Sequence, residues 1–252
     1  MSLFSLGVTL TFVVLAMLLS IGLKLGVEKD MLIATVRSAV QLLVIGYILQ
    51  IVFSAQHVWF ILLIVTVMIL VAAQNASKRG KGLPQVFWRV LAAITLTELI
   101  TQGLLVGLHV VSWTPQYIIP ISGMIIGNAM VVSGLLLNRL QAEANARKNE
   151  ILVLLSLGAT PRQSSRFVLK QAIRAAMIPT IDGMKTMGLV QLPGMMTGQI
   201  IAGADPVQAV RYQLLIVFAF IASAALTSIA LGYLTYPTLF NEQQQLVIRS
   251  DG

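Results

Sequence analysis

EILVLLSLGATPRQSSRFVLKQAIRAAMIPTIDGMK, Glu150 to Lys185, is the one long stretch of this chain with the polarity of a water-accessible segment, and apolar runs lie on both sides of it. It reads as two helices joined by one corner. Ile151 to Leu157 is apolar and helix-forming, and Gly158 can take the left-handed conformation that closes a helix. Thr160, Pro161 and Gln163 then supply an N-cap, a first-turn proline and a capping-box partner. The second helix, about Pro161 to Ile178, carries Arg162, Arg166, Lys170 and Arg174 at every fourth position, so successive charges drift only ~40° around a helix of ~3.6 residues per turn. Phe167, Val168, Ile173, Ala176 and Met177 fall largely elsewhere on the wheel and give the helix an apolar side. A helix lying on anionic lipid would account for the basic stripe. A partner protein seated on the corner accounts for the stripe and for the capping as well.

Outward from this segment the chain is a membrane protein. Its 252 residues are 57% hydrophobic and only 10% charged, with a mean hydropathy of +0.88, which excludes an ordinary soluble surface. The net charge of +8 fits Lys and Arg concentrated in inner loops better than a nucleic-acid partner. There is no cysteine, hence no disulfide and no thiolate metal site. Seven apolar runs are predicted to span: Leu3 to Leu23, Met31 to Phe53, Val58 to Ala76, Val86 to Val111, Ile118 to Asn138, Gly183 to Gly203 and Pro206 to Tyr236. The first has no basic region before it and reads as a retained span with the N-terminus outside. That orientation puts every Lys and Arg except Arg211 on the cytoplasmic side, with the C-terminus inside. The expected fold is an all-α integral membrane protein: one permease domain over 1–252, with a cytoplasmic coupling region at 139–182 within it. Asp205, Pro206 and Gln208 repeat the capping spacing before the last span.

No enzyme motif is present. HExxH and GxSxG are missing, and Gly80-Lys81 lacks the rest of a phosphate-binding Walker loop, so ATP, if used, belongs to another chain. Polar residues inside the spans are the functional candidates. Arg37 and Gln41 stand one turn apart, and Glu98 falls at a depth comparable to Arg37. Either Arg37 and Glu98 pair, or Arg37 extends to the inner interface and Glu98 sits among Thr95, Thr97 and Gln102. In the fifth span, Gly123-xxx-Gly127, Asn128 and Ala129-xxx-Ser133 suit close helix packing with an amide bonded across. The sixth run holds Gln191, Pro193, Gly194, Met195, Met196, Gly198 and Gln199, an interruption expected near the midplane and lining a cavity, with Asp182 near its inner mouth. Met124, Met130, Met184, Met187, Met195 and Met196 cluster in these two runs; thioethers suit soft metals, and equally suit flexible packing. No set of metal ligands can be picked out.

LSLGATP in the corner, IPISGMIIGNAM at Ile119 to Met130 and GLVQLPGMMTGQIIAG at Gly188 to Gly203 together resemble the FetB-like family of ABC-transporter permeases. VEKD at Val27 to Asp30, VQLLVIGY at Val40 to Tyr47 and AAQNA at Ala72 to Ala76 extend the resemblance over almost the whole chain. The resemblance implies a membrane subunit without its own nucleotide site, working as a homodimer with two copies of a separate cytoplasmic ATPase that holds ATP and Mg. It also implies export of metal ions such as iron in bacteria and aluminium tolerance in plants, with a nucleotide-sugar substrate proposed in a plant branch. The corner is similar to the ATPase-seating loop of other ABC permeases. Glu150, Gly158 and Ile178-Pro179 stand in the corresponding places, whereas Ile151 and Leu152 replace that loop's first alanines. Leu155, Ser156, Leu157, Gly158, Ala159, Thr160, Pro161 and Arg162 are therefore the expected coupling residues. Arg37, Gln41, Glu98, Asn128, Asp182, Gln191, Met195, Met196 and Gln199 are the expected path residues. The competing reading is a self-contained ion-coupled carrier using Glu98 and Asp182 as proton sites.

Overall fold

The structure, a computed structural model, describes residues 3–55 and 57–247. Among the described residues there are ten α-helices and two short 3-10 turns, and isolated bridges in place of strands. Arg249, expected in an inner tail, lies outside them. The chain clusters into two units, Met1–His57 and Val58–Gly252.

The first unit is a helical hairpin, α1 (Leu3–Gly22) and α2 (Glu28–Ala55). Its turn uses left-handed backbone at Lys24 and Gly26. Ser20 Oγ on α1 donates to Glu28 Oε1 at 2.7 Å and ties the end of one helix to the start of the next. Arg37 and Gln41 lie one turn apart on α2.

The second unit contains α3 (Val58–Ser77), α4 (Val86–Gly107), α5 (Pro115–Ala146), α6 (Lys148–Ser156), α7 (Pro161–Ser164), α8 (Arg166–Thr186), α9 (Gly194–Ile201) and α10 (Pro206–Thr235). Helix α5 is its centre and packs on α3, α4, α8 and α10. The core joins small residues of α3 (Ala72, Ala73, Ala76) and α8 (Ala172, Ala176) to larger ones of α5 (Leu136, Leu137, Leu140). Small against large lets the axes approach closely, which is how helices associate where lipid tails remove any hydrophobic drive. Asp205 caps α10 as expected, its Oδ2 accepting from Gln208 N at 3.0 Å.

Five helical segments are long and apolar enough to cross a membrane: Glu28–Ser54, Val58–Gly80, Val86–Gly107, Pro115–Ala146 and Pro206–Leu239. The chain is a multi-pass membrane protein. The sixth expected run, Gly183 to Gly203, is not one continuous helix. It begins inside α8, bends through 187–193 and resumes as α9, an eight-residue helix. Gly188 at φ +87 makes that bend, closed by Gly188 N donating to Gln191 O at 2.9 Å.

The helix after the corner also differs from expectation. It does not stop at Ile178 but runs on past Pro179 to Thr186. It is packed along α10 for most of its length. Near one end, a Cβ added to Gly232 of α10 would lie 2.9 Å from Leu169 Cδ1. Midway, Thr180 joins Asn128 of α5, which in turn holds α10 at Phe220 and Ser223. At the other end, Gln213 of α10 faces the sulfur of Met187. From Leu169 to Met187 the helix extends about 27 Å at ~1.5 Å per residue, close to the ~30 Å hydrocarbon thickness. Helix α8 therefore shares the depth of the apolar helix α10.

Candidate functional site

Two features stand out, and one continuous segment carries both. The corner is built by local chemistry. Leu157 ends α6, Gly158 turns at φ +89, Ala159 N donates to Leu154 O at 3.0 Å and Gly158 N to Leu155 O at 3.0 Å, so the last carbonyls of α6 are satisfied. No side chain crowds Gly158, so backbone conformation alone requires the glycine. On the far side Thr160 Oγ1 accepts from Gln163 N at 3.3 Å while Gln163 Oε1 accepts from Thr160 N at 2.9 Å, a complete capping box. Two helix ends are thus fixed four residues apart, with Leu157 held 78% exposed between them. Leu152, Leu155, Gly158 and Ala159 also line a cleft of about 390 Å³ with Gln243, Gln244 and Gln245. Ahead of it, Arg147 bonds Glu150 at 2.8 Å and stacks 4.1 Å over the Phe167 ring, tying α6 to α8.

The second feature is the outer face of α8. Val168, Leu169, Ala172 and Ala176 are buried, and the opposite face exposes Arg166, Lys170, Arg174, Ile178, Asp182 and Lys185. Lys185 Nζ reaches Asp182 Oδ1 at 2.8 Å. Arg166, Lys170 and Arg174 make no ion pair among the described residues. Arg174 lies ~9 Å from the Thr180–Asn128 level along the axis, and Asp182 and Lys185 within ~8 Å of it on the other side. A charged side chain facing lipid near the midplane costs about 2.5–3.5 kcal/mol on insertion scales. Asp182 sits about 20 Å from Leu169 and about 8 Å from Met187 along the packed length.

Polar contacts hold the helices together behind this face. Asn128 Nδ2 donates to Phe220 O at 3.0 Å and Ser223 Oγ at 2.8 Å, and Asn128 Oδ1 accepts from Thr180 Oγ1 at 3.2 Å. Thr97 and Thr227 hydroxyls meet at 2.8 Å between α4 and α10. Gln102 Nε2 donates to Ser122 Oγ at 2.7 Å between α4 and α5. Glu98, one residue from Thr97, is 4% exposed, and neither carboxyl oxygen has a hydrogen-bond partner among the described residues.

Residues 3–240 match the Uncharacterised protein family (UPF0014). The chain belongs to this family. It is 58% identical over 242 residues to the "UPF0014 membrane protein YjkA" of Bacillus subtilis, covering 96% of this chain and 97% of that protein. It is 43% identical over 244 residues to the "Probable iron export permease protein FetB" of Escherichia coli, covering 97% and 94%. With the "Protein ALUMINUM SENSITIVE 3" of Arabidopsis thaliana it shares 37% over 237 residues, covering 94% and 87%. No solved structure matches the chain.

Of the expected path residues, the structure brings Asn128 to α8 and α10 and sets Asp182 one half-turn from that node. Arg37 and Gln41 are in the first unit and Glu98 in the core of the second. Gln191 lies exposed in the bend, and Met195, Met196 and Gln199 are half-buried on α9. The Met187–Gln213 contact sets the start of the bend toward the Pro206 end of α10. The methionine sulfurs serve separate contacts: Met130 accepts from Asn75 between α3 and α5, and Met187 from Gln213. Among the described residues no three His, Cys, Asp or Glu side chains gather as metal ligands.

Glycine at 232 was not a candidate on sequence grounds, yet it is where α8 seats on α10. Gly127 of the GxxxG pair has no atom near a would-be Cβ, and Gly123 only the end of Met68. The signal that could have found Gly232 is its place in a small-residue run of a long apolar helix, with Ser228 on the same face one turn before it.

Proposed function

We propose that this permease is the membrane subunit of an ATP-driven exporter and that Leu155 to Arg162 seats a separate cytoplasmic ATPase. The observation that carries this reading is the corner: two helix ends capped on both sides of Gly158, with an exposed leucine presented between them, in a chain that has no nucleotide motif of its own. A flat lipid surface has no use for so fixed an edge, whereas a groove on a partner protein does. Metal ions such as iron are the proposed cargo, by likeness to the relative named as a probable iron export permease. The working unit is proposed as two copies of this chain with two ATPase chains holding ATP and Mg. The orientation proposed is N-terminus outside and the corner in the cytoplasm, in a bacterial inner membrane.

The test is co-purification of the full chain with its ATPase, followed by ATP hydrolysis in liposomes with a panel of metals. Gly158→Val, forcing a β-branched residue into left-handed backbone, is expected to abolish association without altering detergent-solubilised folding. Normal association and normal stimulated hydrolysis in that variant would remove the corner from the mechanism.

A further inference from the structure

We propose that the exposed face of α8 lines a water-filled path through the membrane and that its charge selects a small multivalent oxyanion, carboxylate or phosphate in chemistry, over a bare metal cation. The inference rests on the chain being a transport subunit and is independent of how ATP is coupled to it.

Depth comes from three contacts spread along α8: Leu169 at Gly232, Thr180 at Asn128, and Met187 at Gln213. They place Arg174 and Asp182 each about 8 Å inside an end of the packed length, and Lys185 about 3 Å inside the Met187 end. Lipid is a poor neighbour for exposed Arg174 and Asp182 there. A second copy of this unit is no better suited. Among the described residues of 58–247, the only acidic side chains on the helices at that depth are Glu98, buried in the core, and Asp182, already bonded to Lys185. Nothing in the unit can neutralise Arg174 from outside, and water can. A polar face on a helix that is otherwise well packed is how an aqueous route is accommodated in a membrane protein.

The sign of the face decides the cargo class. Arg166, Lys170 and Arg174 form an unbroken cationic line over two turns, Arg166 and Lys170 bordering a groove of about 360 Å³ against Ile229 and Tyr233. The one acid on the face is balanced by Lys185. A low-dielectric wall bearing fixed positive charge concentrates anions and repels divalent cations. The guanidinium groups of Arg166 and Arg174, two turns apart with the Lys170 ammonium between them, are each suited to carboxylate and phosphate oxygens. A transported metal would then travel inside an oxyanion complex. A phosphorylated metabolite shares the same chemistry and is the other source.

The chain's lack of cysteine makes the test direct. Ile178→Cys and Thr186→Cys leave every charge in place, and Leu99→Cys, exposed on α4, serves as the lipid-facing control. Each is expressed in the full chain in membranes and reacted with sulfonatoethyl and trimethylammonioethyl methanethiosulfonate. Rates are divided by those of a free thiol, and a membrane-permeant maleimide confirms that each cysteine is present. The expected result is labelling at 178 and 186 but not at 99, with the anionic reagent favoured about tenfold, and the preference reduced when Arg174→Gln is added. Citrate, ferric citrate or pyrophosphate should slow labelling, and which one does so separates the chelate from the phosphorylated source. No labelling at 178 and 186, or equal labelling at 99, overturns the path. A cation preference, or protection by Fe2+ alone and by no oxyanion, overturns the cargo class. Loss of the path with ATPase association intact would leave the coupling reading standing, and the converse would leave the path.

Discussion

Asn128 bridges three helices with one side chain, since its NH2 holds α10 and its oxygen receives α8 through Thr180. Hydrogen bonds between membrane helices contribute about 0.6 kcal/mol each on average, up to ~1.7. Asn128→Leu should therefore lower stability by about 1–3 kcal/mol, read as a drop in detergent melting temperature; an unchanged melt would mean that the node is replaceable by packing. Glu98 is the opposite case. Its carboxyl oxygens are buried without partners among the described residues, so Glu98→Leu removes an unsatisfied group and is expected to leave the melt unchanged or raise it. A loss above ~2 kcal/mol would reveal a partner for Glu98, with the neighbouring Ser122 and Gln102 the first candidates, because removing one member of a buried polar pair leaves the other unsatisfied. At Gly158 the conformation is the whole requirement. Gly158→Asn should keep most ATPase association under the proposed coupling, and Gly158→Val almost none, by the relative ease of left-handed backbone for asparagine.

Helix α8 is held at both ends and in the middle, and the contact at Gly232 is the tightest. A methyl there collides with Leu169 Cδ1, the mobile end of a side chain. Gly232→Ala is expected to cost about 1–2 kcal/mol and Leu169→Ala about 2–4 kcal/mol, with the double variant better than their sum by ~1 kcal/mol or more. Additivity would mean that the two helices separate readily. The same helix shows what the sequence could and could not reveal. The corner was legible in full because Gly158, Thr160, Pro161 and Gln163 act on their own neighbours. The path of α8 beyond Ile178 was not, since the helix with the basic stripe was expected to end there, before Pro179. What carries the helix on is non-local, namely small residues on α10 and the amide of Asn128. For the same reason the break in the sixth run was not legible: Gly183 to Gly203 scores as one apolar stretch, whereas the chain bends through 187–193 and both α8 and α9 pack on α10.

The two units contain different kinds of helix. In Met1–His57 two apolar helices make a hairpin, whereas in Val58–Gly252 a polar helix is enclosed on one side by apolar ones. The proposed assembly is two chains with two ATPases, and native mass measurement of the solubilised complex is expected to find that ratio; one permease per complex would remove it.

From Pro161 the chain is helical, through a single turn at Ser165, as far as Thr186. The edge proposed to meet the ATPase and the charged wall proposed to meet the cargo thus belong to almost one rod. Tilting such a rod by ~10° about its seat at Gly232 would swing its far end by ~5 Å over a ~27 Å arm. That is a lever, and levers fail by buckling. A glycine pair at 170 and 171 would put a joint in the arm: ATP would still be hydrolysed, and the stroke would be lost before it reached the load.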